Sequence, residues 1–211
     1  MHVHPILFGP ICEDKKKVEF RKQEFGLYKS SPIPMSQVMA VMDHAGVNKA
    51  VLLAEDYSTE MGQPIISNEE VKLLVNLEPD RFIGFASVDP RDCGAREQLE
   101  QAFSELKLSG LKLNLSHLQM YPDDKRLEPL LKLCVQYEKP VMFHSGFSWE
   151  PDSPSKYGRP ILYEDIAVEY PSLRFCLAHL GWPWIDEMSM MLLKYPNVYT
   201  DTATVFMDSP A

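Results

Sequence analysis

Four histidines of this 211-residue chain stand where neutral imidazoles can share one cation. His2 and His4 form a His-x-His pair at the start of the sequence. His144 closes the apolar run Val141-Met142-Phe143, and His179 closes the run Leu173–Ala178. On an extended segment, residues two apart share a face, so His2 and His4 can grip one ion from the same side. Neutral imidazole suits zinc best and also accepts manganese and other divalent ions. A single histidine at a strand end is more often a structural hydrogen-bond partner. Four at matching positions, two of them in a chelating pair, favour a metal site. His44 falls in a helical pattern and reads as a surface residue. His117 follows a strand by two residues, on the side where a substrate would be touched.

These positions matter only if the elements carrying them open on one rim. From residue 47 onward an apolar, β-branched or aromatic run is followed by a loop, a helical pattern and a Pro or Gly stop. The strand candidates are Lys49–Ala54, Arg81–Val88, Gly110–Leu115, Pro140–His144, Leu173–His179 and Asn197–Asp201. Their starts recur at roughly 25 to 33 residues, the size of a βα unit. The runs are apolar almost to their last residue, as parallel strands buried on both faces must be. Ser67-Asn68-Glu69-Glu70 has the form of a capping box ahead of a helix. Helices end at Glu78-Pro79, Tyr170-Pro171 and Tyr195-Pro196, where proline cannot continue them. The helix Met35–Ala45 stops at Gly46, a residue suited to the C′ position. Such repeats build either a doubly wound sheet or a (β/α)₈ barrel. No Gly-rich phosphate loop follows a strand, and the strand-end histidines favour the barrel, whose strand ends share one face.

Composition excludes several functions. With 45% hydrophobic and 24% charged residues the chain has an ordinary globular balance, and its length suits a single domain over residues 1–211. The net charge of −9, from 30 acidic against 21 basic residues, opposes nucleic-acid binding. The basic run Lys15-Lys16-Lys17 with Arg21 and Lys22 is interleaved with Glu13, Asp14, Glu19 and Glu24 and reads as a solvated face. Cys12, Cys93, Cys134 and Cys176 form no Cys-x-x-Cys pair, and Cys134 and Cys176 read as small core residues. No apolar run approaches the roughly 18 residues of a membrane span, and no signal-peptide pattern opens the chain. The expected setting is cytoplasmic and reducing, with a small molecule as partner and self-assembly into a homo-oligomer allowed.

In this order, several segments resemble the amidohydrolase-related family, which includes aminocarboxymuconate semialdehyde decarboxylase. They are His2-Val3-His4, Gly110-Leu111-Lys112-Leu113, Tyr121-Pro122-Asp123-Asp124, Pro140-Val141-Met142-Phe143-His144-Ser145-Gly146, Ala178-His179-Leu180-Gly181-Trp182-Pro183-Trp184 and Tyr195-Pro196-Asn197-Val198-Tyr199-Thr200-Asp201-Thr202. The resemblance covers nearly the whole chain and implies an α/β fold, a (β/α)₈ TIM-barrel of the metal-dependent hydrolase type. It also implies that His2, His4 and His144 are metal ligands and that His179 assists as acid/base or polarises the substrate. The family's remaining ligand is an Asp after the eighth strand, in a segment resembling Phe-Gly-Ser-Asp, which this sequence lacks. The chain therefore reads as a barrel without strand 1 and without the last β/α unit, short of the about 250 residues usual for the fold. Asp201 is the carboxylate placed to substitute as ligand.

Other residues suggest substrate contacts. Lys112 and Asn114 share one face of an apolar strand. The lysine's expected role is a buried ion pair, with a grip on a substrate carboxylate as the alternative and carboxylation to bridge two metals as a third. Trp182 and Trp184 flank Pro183 after His179 and either wall the pocket or cover the rim. Arg159 lies in the Pro- and Ser-rich stretch Pro151–Pro160 that follows His144, where a long loop can act as lid or anion clamp, or the arginine can be simply solvated.

The leading expectation is hydrolysis. An ion held by His2, His4 and His144 would lower the pKa of its water toward about 7, for attack on an amide, lactone or ester carbonyl, with His179 handling the proton. Non-oxidative decarboxylation of an aromatic or unsaturated acid is the second reading on the same scaffold. A truncated, inactive barrel or binding protein is the third. Substrate identity lies outside what strand-end residues encode, because the loops that shape the pocket vary on one scaffold.

Overall fold

In a computed structural model that describes residues 1–205, seven short strands run parallel, each followed by helix or turn. They are β1 (His2–Val3), β2 (Ala50–Leu53), β3 (Phe82–Phe85), β4 (Leu111–Leu113), β5 (Val141–Phe143), β6 (Phe175–Leu177) and β7 (Val198–Thr200). β1, β2 and β3 pair in order, as do β4 through β7. The two groups are joined where Ala86 N–H donates to Gly110 O and Lys112 N–H donates to Ala86 O, each at 2.7 Å. The result is one curved parallel series in chain order.

Strand parity sorts the side chains. Leu53, Phe85, Met142 and Ala178, with Val51, Ile83 and Cys176, pack into a small cluster inside the curve. Ala50, Leu52, Leu111, Leu113, Val141, Phe143, Phe175 and Leu177 face outward into the larger core beneath the helices. His2 is in register with Val51 and so faces inward, as does Lys112 opposite Met142. The helices close the outer layer: α1 (Lys15–Glu24), α2 (Met35–His44), α3 (Ser58–Met61), α4 (Asn68–Leu77), α5 (Ala95–Ser104), α6 (Leu115–Leu118), α7 (Glu128–Gln136), α8 (Glu164–Glu169) and α9 (Ile185–Lys194).

The punctuation read from the sequence is present. Ser67 Oγ accepts from Glu70 N–H at 3.3 Å while Glu70 Oε2 accepts from Ser67 N–H at 2.9 Å, a complete capping box on α4. Gly46 takes φ +66°, the left-handed conformation that ends α2. His44 is exposed on that helix.

Three expectations need correction. The first strand is not missing: its stub, His2–Val3, pairs with β2. The basic run forms α1, capped by Asp14, but Arg21 is no part of a solvated face. It is 1% exposed, donates to Ile65 O (2.7 Å) and Ile11 O (2.8 Å), and pairs with Glu70 at 2.6 Å. Its guanidinium ties α1 to α4, where a charge that deep is tolerable only because it is fully bonded. Cys134 is buried as expected, whereas Cys176 is half-buried with its sulfur 3.9 Å from Asp201 Oδ2.

Candidate metal centre

All four strand-end histidines reach one end of the barrel. Their rings form a chain, with centroids 6.0 Å apart from His4 to His2, 5.1 Å from His2 to His179 and 4.9 Å from His179 to His144. The tightest donor set is His2, His179 and Asp201, whose ligand atoms all lie within 4.8 Å of one another. Asp201, just past β7, receives His2 Nδ1 at 2.6 Å and the backbone N–H groups of His179 and Ala203 at 3.1 Å each. Burial alone would push its carboxyl up, but the His2 contact and these donors hold it well below the usual carboxylate range.

His179 has φ +61°, and Leu180 after it φ +53°. Non-glycine residues adopt this region at a cost of roughly 1–3 kcal/mol each and keep it where the surroundings over-determine it. Here the Asp201 backbone and side chain both bind the turn, and Leu180 N–H donates to Asp201 O at 2.7 Å. His179 Nδ1 lies 2.8 Å from Ala203 O, which can only accept, so Nδ1 carries the proton and Nε2 keeps its lone pair. Burial, then the Lys112 charge, lowers its pKa to about 4. The same two causes, in that order, bring His144 well below its ordinary value. Both imidazoles are thereby neutral at neutral pH, the form a metal or a proton acceptor requires.

His2 and His4 share a face as parity demands, yet their Nδ1 atoms go to different carboxylates. His4 Nδ1 lies 3.1 Å from Glu55 Oε2, and Tyr57 Oη donates to Glu55 Oε1 at 2.8 Å. Glu55 was missed by the sequence reading although it stands one residue past the strand Lys49–Ala54, in the position that singled out the histidines. Burial would raise its pKa, but His4, Tyr57 and Lys112 together bring it down to about 2.

A cavity of about 890 Å³ opens over this end, lined by His4, Glu55, Lys112, His144 and His179 together with the aromatic Phe25, Phe147, Trp149 and Trp182. Lys112 is 2% exposed and its Nζ has no hydrogen-bond or ion-pair partner among the described residues, which corrects the expected buried ion pair. Trp182 lines the cavity. Arg159 does not: it pairs with Glu187 and lies against Trp184, 5.8 Å from the ring centre. His117 also lies off the cavity lining, stacked on Tyr57 at 3.7 Å with its Nδ1 3.4 Å from Ser153 Oγ.

The donor set fits a divalent cation. Two imidazoles and a carboxylate converge, two further histidines flank them, and His4 Nδ1 and Glu55 Oε2 are buried polar atoms with no well-aligned hydrogen bond.

A parallel barrel with a histidine-rich rim at its C-terminal strand ends is a TIM-barrel enzyme scaffold. The chain belongs to the amidohydrolase family, whose model matches residues 1–211. Among curated proteins, Protein fluG of Emericella nidulans is 31% identical over 72 residues, a segment covering 34% of this chain and 8% of that protein. An uncharacterized TIM-barrel protein from Bordetella bronchiseptica superposes with a TM-score of 0.70 at 22% identity, over 83% of this chain and 61% of that one. A 5-carboxyvanillate decarboxylase from Novosphingobium aromaticivorans, solved with manganese and 4-hydroxy-3-methoxy-5-nitrobenzoic acid, superposes at 0.55 with 20% identity, over 85% of this chain and 64% of that one. This chain thus spans less than two thirds of the length of each of these relatives. At these identities the structural likeness concerns the fold. The superfamily is metal-dependent, and among the described residues no helix is long and apolar enough to cross a membrane.

Proposed function

We propose that this chain forms the metal-binding barrel of an enzyme that hydrolyses an amide, lactone or ester bond in a small, carboxylate-bearing substrate. The reading is carried by one observation: His2, His179 and Asp201 converge within 4.8 Å of one another, beside a cavity lined by His4, His144, His179 and a lysine that has no partner among the described residues. His2 and Asp201 would hold the ion at the centre, with His4 and His144 completing the set. When bound, the ion supplies Lewis-acid polarisation and acidifies water; zinc suits the imidazole donors best, and manganese is accepted through the carboxylate. His179 is the proton carrier, because Nδ1 is anchored to Ala203 O and Nε2 is left free to accept and return a proton. Lys112 offers its ammonium to the substrate carboxylate, the anion its buried position lacks. Trp182, Phe147 and Trp149, which line the same cavity, would shield that contact from water when a substrate is bound. The setting proposed is cytoplasmic, supported by four free cysteines.

Decarboxylation is the second reading, favoured by the aromatic walls of the cavity, which suit a planar acid. A panel that records carbon dioxide release beside ester and lactone cleavage separates the two. Metal content assigns the histidines. His144→Ala is expected to lose the ion together with turnover, and His179→Ala to keep the ion and lose turnover. Loss of the ion from His179→Ala with full occupancy in His144→Ala would exchange their roles. Less than about a tenth of an equivalent of zinc or manganese in the unaltered chain would refute the metal reading and favour an inactive barrel.

A further inference from the structure

We propose that Glu55 and Tyr57 form a bracket that fixes the ring of His4 for the cation, which makes Tyr57 a positioning residue for metal affinity without touching the metal. The inference rests on the proposed ligand role of His4. Glu55 Oε2 faces His4 Nδ1 at 3.1 Å, and its other oxygen accepts from Tyr57 Oη at 2.8 Å. Glu55 is 5% exposed and Tyr57 2%, so neither contact is exchanged for water. The two atoms are in ion-pair contact but out of line for a hydrogen bond; a carboxylate only accepts, so a small turn of the ring that aligns them would hold the proton of His4 on Nδ1 and leave Nε2 with the lone pair a ligand needs. Tyr57 is held in turn by its stack on His117, with ring centres 3.7 Å apart and planes 19° apart. His117 lies 3.4 Å from Ser153 in the loop that carries Trp149 and Pro151 to the cavity. The Glu55–Tyr57 pair therefore stands between the pocket loop and the first strand, and it accounts for a buried carboxylate and a buried phenol that the proposed chemistry does not use.

The test uses the full 211-residue chain. Metal-free protein is titrated with Zn²⁺ against a chromophoric chelator, and ¹⁵N NMR reads the tautomer of His4. Glu55→Gln should weaken zinc binding about tenfold to a hundredfold. Tyr57→Phe, which removes one hydrogen bond from an unaltered ring, should weaken it about threefold to tenfold. His4 should show the Nδ1–H tautomer in the unaltered protein and lose that preference in Glu55→Gln. In a His4→Ala background both substitutions should cost nothing further, since their effect passes through that ring. Unaltered zinc affinity in both variants would overturn the proposal, and so would a loss that persists at full size in His4→Ala, which would make Glu55 a ligand itself. Failure of the unaltered chain to bind zinc would remove the metal reading and this inference together, whereas binding that is indifferent to Glu55 and Tyr57 removes the inference alone.

Discussion

Lys112 carries an ammonium into the barrel with no ion pair among the described residues. Burial lowers its pKa, and attraction from Glu55 and Asp201 offsets part of that shift. Its charge is in turn a cause of the low values at His2, His144 and His179. A buried cation without a partner is tolerated for function more readily than for stability. Lys112→Met should accordingly leave the fold intact and raise its stability by about 1–3 kcal/mol, measured by denaturant unfolding of metal-free protein. The same change should move the His179 titration upward from about 4, read by NMR, because one of the charges disfavouring the imidazolium is gone. A stability loss above about 1 kcal/mol would mean that Lys112 holds the barrel together and does not await an anion.

At the scale of elements, the loops after β5 and β6 position the aromatic rim, and they meet at Gly146. This residue has φ +84°, and a β-carbon there would collide with the carbonyl oxygen of Trp182. The close approach permits Phe147 N–H to donate to Trp182 O at 2.7 Å and His144 Nε2 to donate to Phe147 O at 3.2 Å. Gly146→Ala should therefore cost about 2 kcal/mol or more in thermal unfolding, from positive φ and the clash together. It should also shift Trp182 fluorescence as the two loops part. The strand and helix patterns were legible because they depend on neighbours in sequence. Predicted strands overran the observed ones by one to three residues at an end, as in Arg81–Val88 against Phe82–Phe85, since the flanking residues leave the ladder to form the rim. Arg21 and Glu70 were illegible as a pair, because composition marks charge and not the depth at which a helix lies.

Across the whole molecule, the contact between His2 and Asp201 spans the gap between the first and seventh strands, which exchange no backbone hydrogen bond among the described residues. A side-chain pair 199 residues apart thus links both edges of the curved sheet, and a cation at the same place would strengthen that link. Zinc or manganese at a hundredfold over Kd should stabilise the chain by about 2.7 kcal/mol, a rise in Tm of roughly 5–10 °C for a domain of this size. Asp201→Ala should lower the metal-free Tm and abolish most of the metal-dependent rise. An undiminished rise in that variant would place the ion elsewhere. The alternation of apolar runs and capped helices, with a histidine closing certain runs, determined the parallel barrel and the end of it that matters, because strand parity and helix caps are local properties of the chain. Which carboxylate meets which imidazole, Asp201 with His2 and Glu55 with His4, was decided only by the curvature and register of the sheet, as was the isolation of Lys112. Those contacts join residues that local propensity cannot relate.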